Sequence, residues 1–267
     1  MRFVILASVF LVSASAGCTA DPFSDRSVES LAAEHVPETE PSPAATAYRI
    51  VPVRPIEDAR AIAAAARPPV DRTADLAPPL VDLARAEPGL KLDLRYATAD
   101  NFMGVPLYRT ARAFLRAPTA EALVRVHRRL VVHGYGIVVF DAYRPWSVTK
   151  TFWEAAGPVD RAFLGDPAEG SRHNRGAAVD VGLYDRADGR ILAMPSAYDE
   201  FTPRAAADFR GGTAAERRRR ALLRRAMEDE GFAVLPNEWW HFDYRDWPRY
   251  PVLNVPLEAA EGVRNPD

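Results

Sequence analysis

Apolar and polar positions follow regular periodicities from about residue 77 onward. Residues 119–133 place Leu123, Val126 and Leu130 on one stripe, which predicts an amphipathic helix. Residues 136–141 are almost entirely apolar, which is typical of a buried strand. Similar patterns predict further strands over 90–96, 177–184, 232–235 and 239–244, and further helices over 146–156 and 213–230. This mixture predicts an α+β fold in which helices flank an antiparallel sheet.

The regular pattern is absent upstream of this region. Residues 21–76 are rich in Ala, Pro, Glu, Ser and Thr, and the proline pair at 68–69 ends the one short helix that this composition permits. We therefore predict a flexible, disordered tether over 18–76, one folded domain over 77–256 and a C-terminal tail over 257–267.

Residues 1–17 have the features of an export signal. Arg2 supplies a positive charge, an apolar stretch too short to span a bilayer follows, and small residues come next. Ser-Ala-Gly-Cys at 15–18 resembles the lipobox of bacterial lipoproteins, which would place a lipid on Cys18. An ordinary signal-peptidase site at 14–16 is the alternative. We expect an exported protein of the periplasm or cell envelope, anchored to a membrane if Cys18 is acylated.

Composition and charge narrow the range of partners. The 267 residues are 48% hydrophobic and 26% charged, which is a globular profile. The formal net charge of -2 offers no general attraction to nucleic acid, whose binders usually carry a basic excess. No obligate protein partner is implied. Cys18 is the only cysteine, so a metal in the domain must use nitrogen and oxygen ligands.

Five histidines could supply such nitrogen ligands. His35 lies in the predicted tether. His127 and His133 share one predicted helix, but their spacing corresponds to about 600° of rotation, so they point in different directions. His173 and His241 remain, and both have acidic residues nearby.

These two histidines and their acidic neighbours could form an open metal site. His173 is followed by Asp180, and Glu238 precedes His241 by three positions. Two imidazoles and one carboxylate would leave the fourth tetrahedral position of zinc to water, as in catalytic sites. On a regular strand Glu238 and His241 would face opposite ways, so a shared site needs a bend or bulge between them. The alternative is that each histidine is an ordinary hydrogen-bonded residue.

Five sequence strings together resemble one enzyme family. They are DLRYAT at 93–98, DAYRP at 141–145, SxHxxGxxxD at 171–180, MPSAYD at 194–199 and EWWH at 238–241. Their order and spacing are similar to those of the VanX-type zinc D-alanyl-D-alanine dipeptidases. The resemblance covers about residues 80–251 and includes every metal-ligand candidate.

The resemblance implies a set of residue roles. One zinc ion per chain, at the sheet face, would be bound by His173, Asp180 and His241, with Glu238 as general base. Arg144 would face the developing oxyanion, although a plain salt bridge to Asp141 is the alternative. Three further residues would contact substrate: Asp199 the ammonium, Ser171 the carboxylate, and Tyr96 the pocket wall.

The resemblance also implies an activity. We expect zinc-dependent hydrolysis of the small dipeptide D-Ala-D-Ala into two D-alanines, in cell-wall peptide turnover or glycopeptide resistance. Two alternatives stay open at this point. One is a D,D-carboxypeptidase that acts on peptidoglycan stem peptides, and the other is a non-catalytic lipoprotein that binds the cell wall.

Overall fold

The computed structural model describes residues 26–33 and 48–265. Its strands are β1 (Leu80–Asp82), β2 (Lys91–Leu92), β3 (Phe114–Arg116), β4 (Tyr135–Asp141), β5 (Ala178–Asp185), β6 (Phe232–Leu235) and β7 (Glu238–Tyr244). Its α-helices are α1 (Val28–Ala33), α2 (Ile56–Ala65), α3 (Leu83–Ala86), α4 (Ala117–Val131), α5 (Trp146–Ala155) and α6 (Ala214–Asp229). Among these helices, none has the length and apolar character required to cross a membrane.

Five strands form the main sheet, in the order β2-β4-β5-β7-β6. β4, β5, β7 and β6 pair antiparallel with their neighbours, whereas β2 runs parallel to β4. The chain passes through β3 and α4 between β2 and β4, which is the crossover that a parallel pair requires. The predicted α+β fold is confirmed, with one parallel pair at the edge of an otherwise antiparallel sheet.

Helices α4 and α6 pack on the sheet and on each other. Leu123, Val126 and Leu130 of α4 are fully buried in the main core, as their spacing predicts. α6 begins with a capping box, in which the Thr213 hydroxyl accepts from the Glu216 N–H while the Glu216 carboxylate accepts from the Thr213 N–H. The side chains buried between these helices and the sheet stabilise β5 and β7, the strands that carry site residues.

The strand predicted over 90–96 is much shorter in the structure. Only β2 is extended there, and Arg95–Ala97 form a 3-10 helix. The turn buries Tyr96, whose backbone carbonyl accepts from the Leu107 and Tyr108 N–H groups. Burial of Tyr96 and these hydrogen bonds to its backbone therefore override the alternating pattern of the segment.

The prediction of a flexible tether over 18–76 does not fit the described parts of that segment. α1 packs on α6 and buries Val28 and Leu31, while α2 packs on α5 and buries Ala59 and Ala63. The small side chains of α2 allow close approach of the two helices, a gain that composition alone does not reveal. The signal segment and Cys18 lie outside the described residues.

The predicted tail over 257–267 also packs against the domain as far as it is described. Leu257 and Ala260 are buried. The Leu80 N–H donates to the Val263 carbonyl, and the Gly262 N–H donates to the Leu80 carbonyl, both at 2.9 Å. Because these bonds extend the pairing of β1, residues 257–265 belong to the fold rather than to a free tail.

Candidate metal centre

One cavity of about 260 Å³ contains every described site residue proposed from the sequence. The residues that line it include Tyr96, Arg144, Ser171, His173, Asp180, Asp199, Glu238 and His241. These side chains come from six separate stretches of chain, so the fold brings together what the sequence keeps apart. Cys18, the proposed lipidation site, is not among the described residues.

Strand pairing sets two of the three metal-ligand candidates. Asp180 of β5 lies directly opposite His241 of β7, and the Asp180 Oδ1 to His241 Nδ1 distance is 3.1 Å. His173 lies in a 3-10 turn just before β5, and its Nε2 is 3.3 Å from Asp180 Oδ1 and 3.1 Å from His241 Nδ1. Gly176 ends that turn at a φ of 66°, which favours glycine. Within residues 26–33 and 48–265, this is the group of His, Cys, Asp and Glu side chains arranged to share a metal ion.

The triangle of ligand atoms fits a tetrahedral metal. With bonds of about 2.0–2.1 Å, neighbouring ligand atoms of tetrahedral zinc lie about 3.3–3.4 Å apart. Asp180 Oδ1 is buried and has no hydrogen-bond partner among the described residues, a costly state that a bound cation would relieve. Burial opposes ionisation of Asp180, but positive charge on the two neighbouring histidines holds its pKa below its usual value. The donor set therefore suits a cation.

Each imidazole is oriented by a second contact. His173 Nδ1 lies 2.7 Å from the Ala142 carbonyl, and His241 Nε2 lies 2.9 Å from Asp243 Oδ1. Because the Ala142 carbonyl can only accept, His173 Nδ1 donates and its Nε2 keeps a lone pair that faces Asp180. His241 has a carboxylate at each nitrogen, and Asp243 provides the acceptor that leaves Nδ1 free for a metal.

Glu238 reaches the same cavity because β7 is irregular. On β6, Val234 pairs with Phe242 but its neighbour Leu235 pairs with Glu238, so the register shifts between them. This shift is the bend that the three-residue spacing requires, and Glu238 Oε2 lies 3.7 Å from His241 Nδ1. Burial raises the pKa of Glu238 to about 7, which suits a group that accepts a proton near neutrality.

Arg144 forms the salt bridge to Asp141 that was weighed from the sequence, and it also lines the cavity. Its Nε and Nη2 donate to Asp141 Oδ2 at 2.9 and 2.7 Å, and its guanidinium lies 5.1 Å from the Tyr96 ring centroid. Tyr108 donates a 2.6 Å hydrogen bond to the other Asp141 oxygen. The salt bridge is therefore present, and it holds a buried cation that lines the cavity.

The proposed substrate contacts lie on loops around the cavity. Tyr96 donates a 2.9 Å hydrogen bond to Asp199 Oδ2, and Asp199 adopts a φ of 56°, unusual for a residue other than glycine. Burial, reinforced by the Asp180 charge, raises the pKa of Asp199 well above its usual value. The Ser171 hydroxyl accepts from the His173 N–H at 3.2 Å. Asp199 forms no salt bridge within residues 26–33 and 48–265, and a buried carboxyl group of this kind is suited to binding a cation.

Comparison with known proteins agrees with this geometry. The family model of the M15 peptidases, described as D-Ala-D-Ala dipeptidase, matches residues 77–256. The chain belongs to this family. It is 37% identical to a D-alanyl-D-alanine dipeptidase of Escherichia coli (strain K12), over 65% of this chain and 89% of that protein. Relatives with the same name occur in Enterococcus faecium, at 34% identity over 61% and 89%, and in Enterococcus faecalis (strain ATCC 700802 / V583), at 35% over 61% and 89%.

Membership of the M15 family has two direct consequences. The family consists of metallopeptidases, so the protein is a metal-dependent peptidase, and the His173, Asp180 and His241 group provides a place for the metal. The matched residues include all eight side chains of the cavity named above. The non-catalytic alternative is not favoured.

Two residues of this M15 site were not proposed from the sequence. Asp243 contacts His241, and Tyr198 donates a 3.0 Å hydrogen bond to Asp180 Oδ2. Asp243 could have been found, because residues two apart on a strand share a face. Tyr198 lies within the MPSAYD string, but no spacing pattern links it to Asp180, which it approaches from a loop 18 residues further along the chain.

Proposed function

We propose that this protein is a zinc-dependent dipeptidase that hydrolyses D-Ala-D-Ala into two molecules of D-alanine. The observation that carries the proposal is the convergence of a two-histidine, one-aspartate group, a buried glutamate and a buried arginine in one cavity. The names of the matched relatives support the choice of substrate.

Zinc is the metal that the donor set favours. Two imidazole nitrogens and one carboxylate oxygen, at tetrahedral spacing, suit zinc better than magnesium or calcium, which prefer oxygen ligands. When bound, zinc would supply a Lewis acid that polarises the peptide carbonyl and lowers the pKa of water.

The chain's own residues account for the proton transfers. Glu238 accepts a proton from the water that attacks the carbonyl carbon, and it then passes that proton to the nitrogen of the leaving D-alanine. Arg144, held by Asp141, places positive charge beside the oxygen on which negative charge develops. The overall reaction adds one water across the peptide bond and leaves Glu238 unchanged.

The ends of the dipeptide have separate partners in the proposal. Asp199 would bind the ammonium, whose charge favours the ionised carboxylate, and Tyr96 holds Asp199 in place. Ser171 would donate to the substrate carboxylate. A volume of about 260 Å³ lies below the roughly 300 Å³ at which pockets for drug-sized ligands begin, in keeping with a small substrate.

The direct test is release of free D-alanine from D-Ala-D-Ala by the purified, zinc-loaded protein. We expect turnover that disappears on chelation and returns with zinc. Folded, zinc-bound protein that leaves the dipeptide intact would contradict the proposal. Release of D-alanine from stem pentapeptide alone would instead indicate the D,D-carboxypeptidase activity.

We further propose that the protein is exported and anchored through a lipid on Cys18. The support is the sequence of residues 1–18. An enzyme in the periplasm or cell envelope would meet D-Ala-D-Ala released from peptidoglycan, so we assign it to cell-wall peptide recycling rather than to glycopeptide resistance. Membrane fractionation of wild type and Cys18→Ser tests the anchor, since release of only the variant is expected. Intact protein in the cytoplasm would contradict the proposal.

A further inference from the structure

A short segment upstream of the family domain lies against the wall of the cavity. We call residues 48–53 the arm; they precede the matched residues 77–256. The Ile50 N–H donates to the Phe102 carbonyl at 3.1 Å, and the Val53 N–H donates to the Ala155 carbonyl at 2.9 Å. Phe102 lines the cavity, so the arm contacts the outer side of the cavity wall.

Tyr48 of the arm contacts two different segments. Its ring centroid lies 5.1 Å from that of Phe201, and its hydroxyl donates to Asp160 Oδ1 at 3.3 Å. Phe201 belongs to segment 196–203, and Asp160 begins segment 160–171. One side chain therefore links two stretches of chain that approach each other only in the folded protein.

These two segments carry the proposed contacts for the two ends of the substrate. Segment 196–203 contains Asp199, the proposed ammonium partner, and segment 160–171 ends at Ser171, the proposed carboxylate partner. The segments also meet through Phe163 and Phe201, whose rings stack at 5.0 Å and 2°. Phe163 and Phe201 both line the cavity.

Helix α2 anchors the arm. It follows the arm directly and packs on α5, burying Ala59 and Ala63. α5 contributes Phe152, which lies 5.0 Å from Phe102 in the same aromatic cluster. The arm thus contacts the cavity wall at Phe102 and helix α5 at Ala155.

We propose that the arm is a specificity-determining element: through Tyr48 it holds segments 160–171 and 196–203 closed around the substrate cavity and restricts it to free dipeptides. The inference rests on the proposed dipeptidase function. A longer peptide would extend from the amino end of the substrate, past Asp199. Phe201 and Phe163 occupy that side, and Tyr48 packs on Phe201 from outside. The longer peptide would have to displace this stack.

The test compares two substrates in the full chain with Tyr48→Ala and Tyr48→Phe. For each protein, kcat/KM is measured for D-Ala-D-Ala and for release of D-alanine from L-Ala-D-Ala-D-Ala. Tyr48→Ala loses the ring contact and the hydrogen bond, so the tripeptide-to-dipeptide ratio is expected to rise about tenfold, with a higher KM for the dipeptide. Tyr48→Phe keeps the ring contact and is expected to show a smaller rise.

A control variant separates this role from general stability. Tyr184 is also a partly buried tyrosine whose hydroxyl donates one hydrogen bond, in its case to the Gly89 carbonyl, but it does not line the cavity. Tyr184→Ala is expected to lower the Tm without changing the substrate ratio. An equal ratio in wild type, Tyr48→Ala and Tyr184→Ala would overturn the proposal.

Amide hydrogen exchange provides a readout that does not depend on turnover. Tyr48→Ala is expected to speed exchange in 160–171 and 196–203 about tenfold, with no change in β5. Unchanged exchange in both segments would overturn the proposal even if the enzyme is active. Absence of turnover in the wild type would overturn the proposed function, while exchange would still decide whether the arm holds the segments. If Tyr48→Ala does not fold, Tyr48→Phe and Asp160→Ala, which each remove the hydrogen bond, test it by the same two measurements.

Discussion

The two sides of the cavity are built in different ways. The metal side lies on the sheet, where Asp180 and His241 face each other across β5 and β7. The substrate side lies on loops and turns, where Tyr96 and Asp199 meet through a single hydrogen bond although they are 103 positions apart in the chain. Ladder hydrogen bonds position the first pair, whereas the second depends on ring contacts of Tyr96 with its aromatic neighbours.

The two sides also differ in how firmly their side chains are oriented. Each metal-ligand candidate has a second partner that fixes its orientation: the Ala142 carbonyl for His173, Tyr198 for Asp180 and Asp243 for His241. The substrate side depends on contacts between side chains of separate segments, as at Tyr48 and Phe201. Groups on rigid elements hold tighter geometry than groups on loops. Changes on the metal side should therefore affect catalysis, and changes on the substrate side should affect recognition.

Removal of the metal should have the largest effect. We expect chelation to abolish turnover and to lower the Tm, because a ligand that binds only the folded state stabilises it. Asp180→Asn removes one charged ligand and should abolish the zinc dependence of the Tm. Full turnover in protein shown to be metal-free would contradict the role assigned to the sheet side.

Loss of the proposed base should come next. Glu238→Gln keeps the shape of the side chain but cannot accept the proton, so kcat should fall by about 10³-fold. The zinc content should stay at the wild-type level, since Glu238 is not among the ligands. A variant with near-normal kcat would show that another group accepts the proton.

A substitution on the substrate side should change KM rather than kcat. Asp199→Asn removes the charge proposed to bind the ammonium, and we expect kcat/KM to fall about 30-fold, or about 2 kcal/mol, mainly through KM. Zinc titration should give wild-type affinity. If Asp199→Asn weakened zinc binding and left KM unchanged, Asp199 would act on the metal side rather than in substrate recognition.

The outer contact of His241 should have the smallest effect. Asp243→Ala removes the carboxylate that orients the imidazole, and zinc affinity should fall by about tenfold. Saturating zinc should restore most of the activity. Asp188→Ala, a change in an exposed aspartate away from the cavity, serves as the control and should leave the affinity unchanged. Equal affinities in both variants would leave Asp243 without a role in metal binding.

Much of the site could be proposed from the sequence because the chain contains few residues that can bind a transition metal. With five histidines and one cysteine, few sets of nitrogen and oxygen ligands exist, and the regular spacing of β4, β5 and α6 made those elements recognisable. The three-residue spacing of Glu238 and His241 requires a bend or bulge, but it does not indicate where the register shifts. No periodicity or spacing in the sequence indicates that Tyr198 contacts Asp180 or that Tyr48 contacts Phe201.

The sequence by itself determined which residues could perform the chemistry, since side-chain identity and local periodicity are properties of short stretches of chain. Only the tertiary structure decided how those residues meet. It turned residues 95–97 into a 3-10 helix, packed α2 and residues 257–265 on the domain, and placed the arm against the cavity. These outcomes depend on small gains in buried area and on hydrogen bonds between distant segments, which no local pattern records.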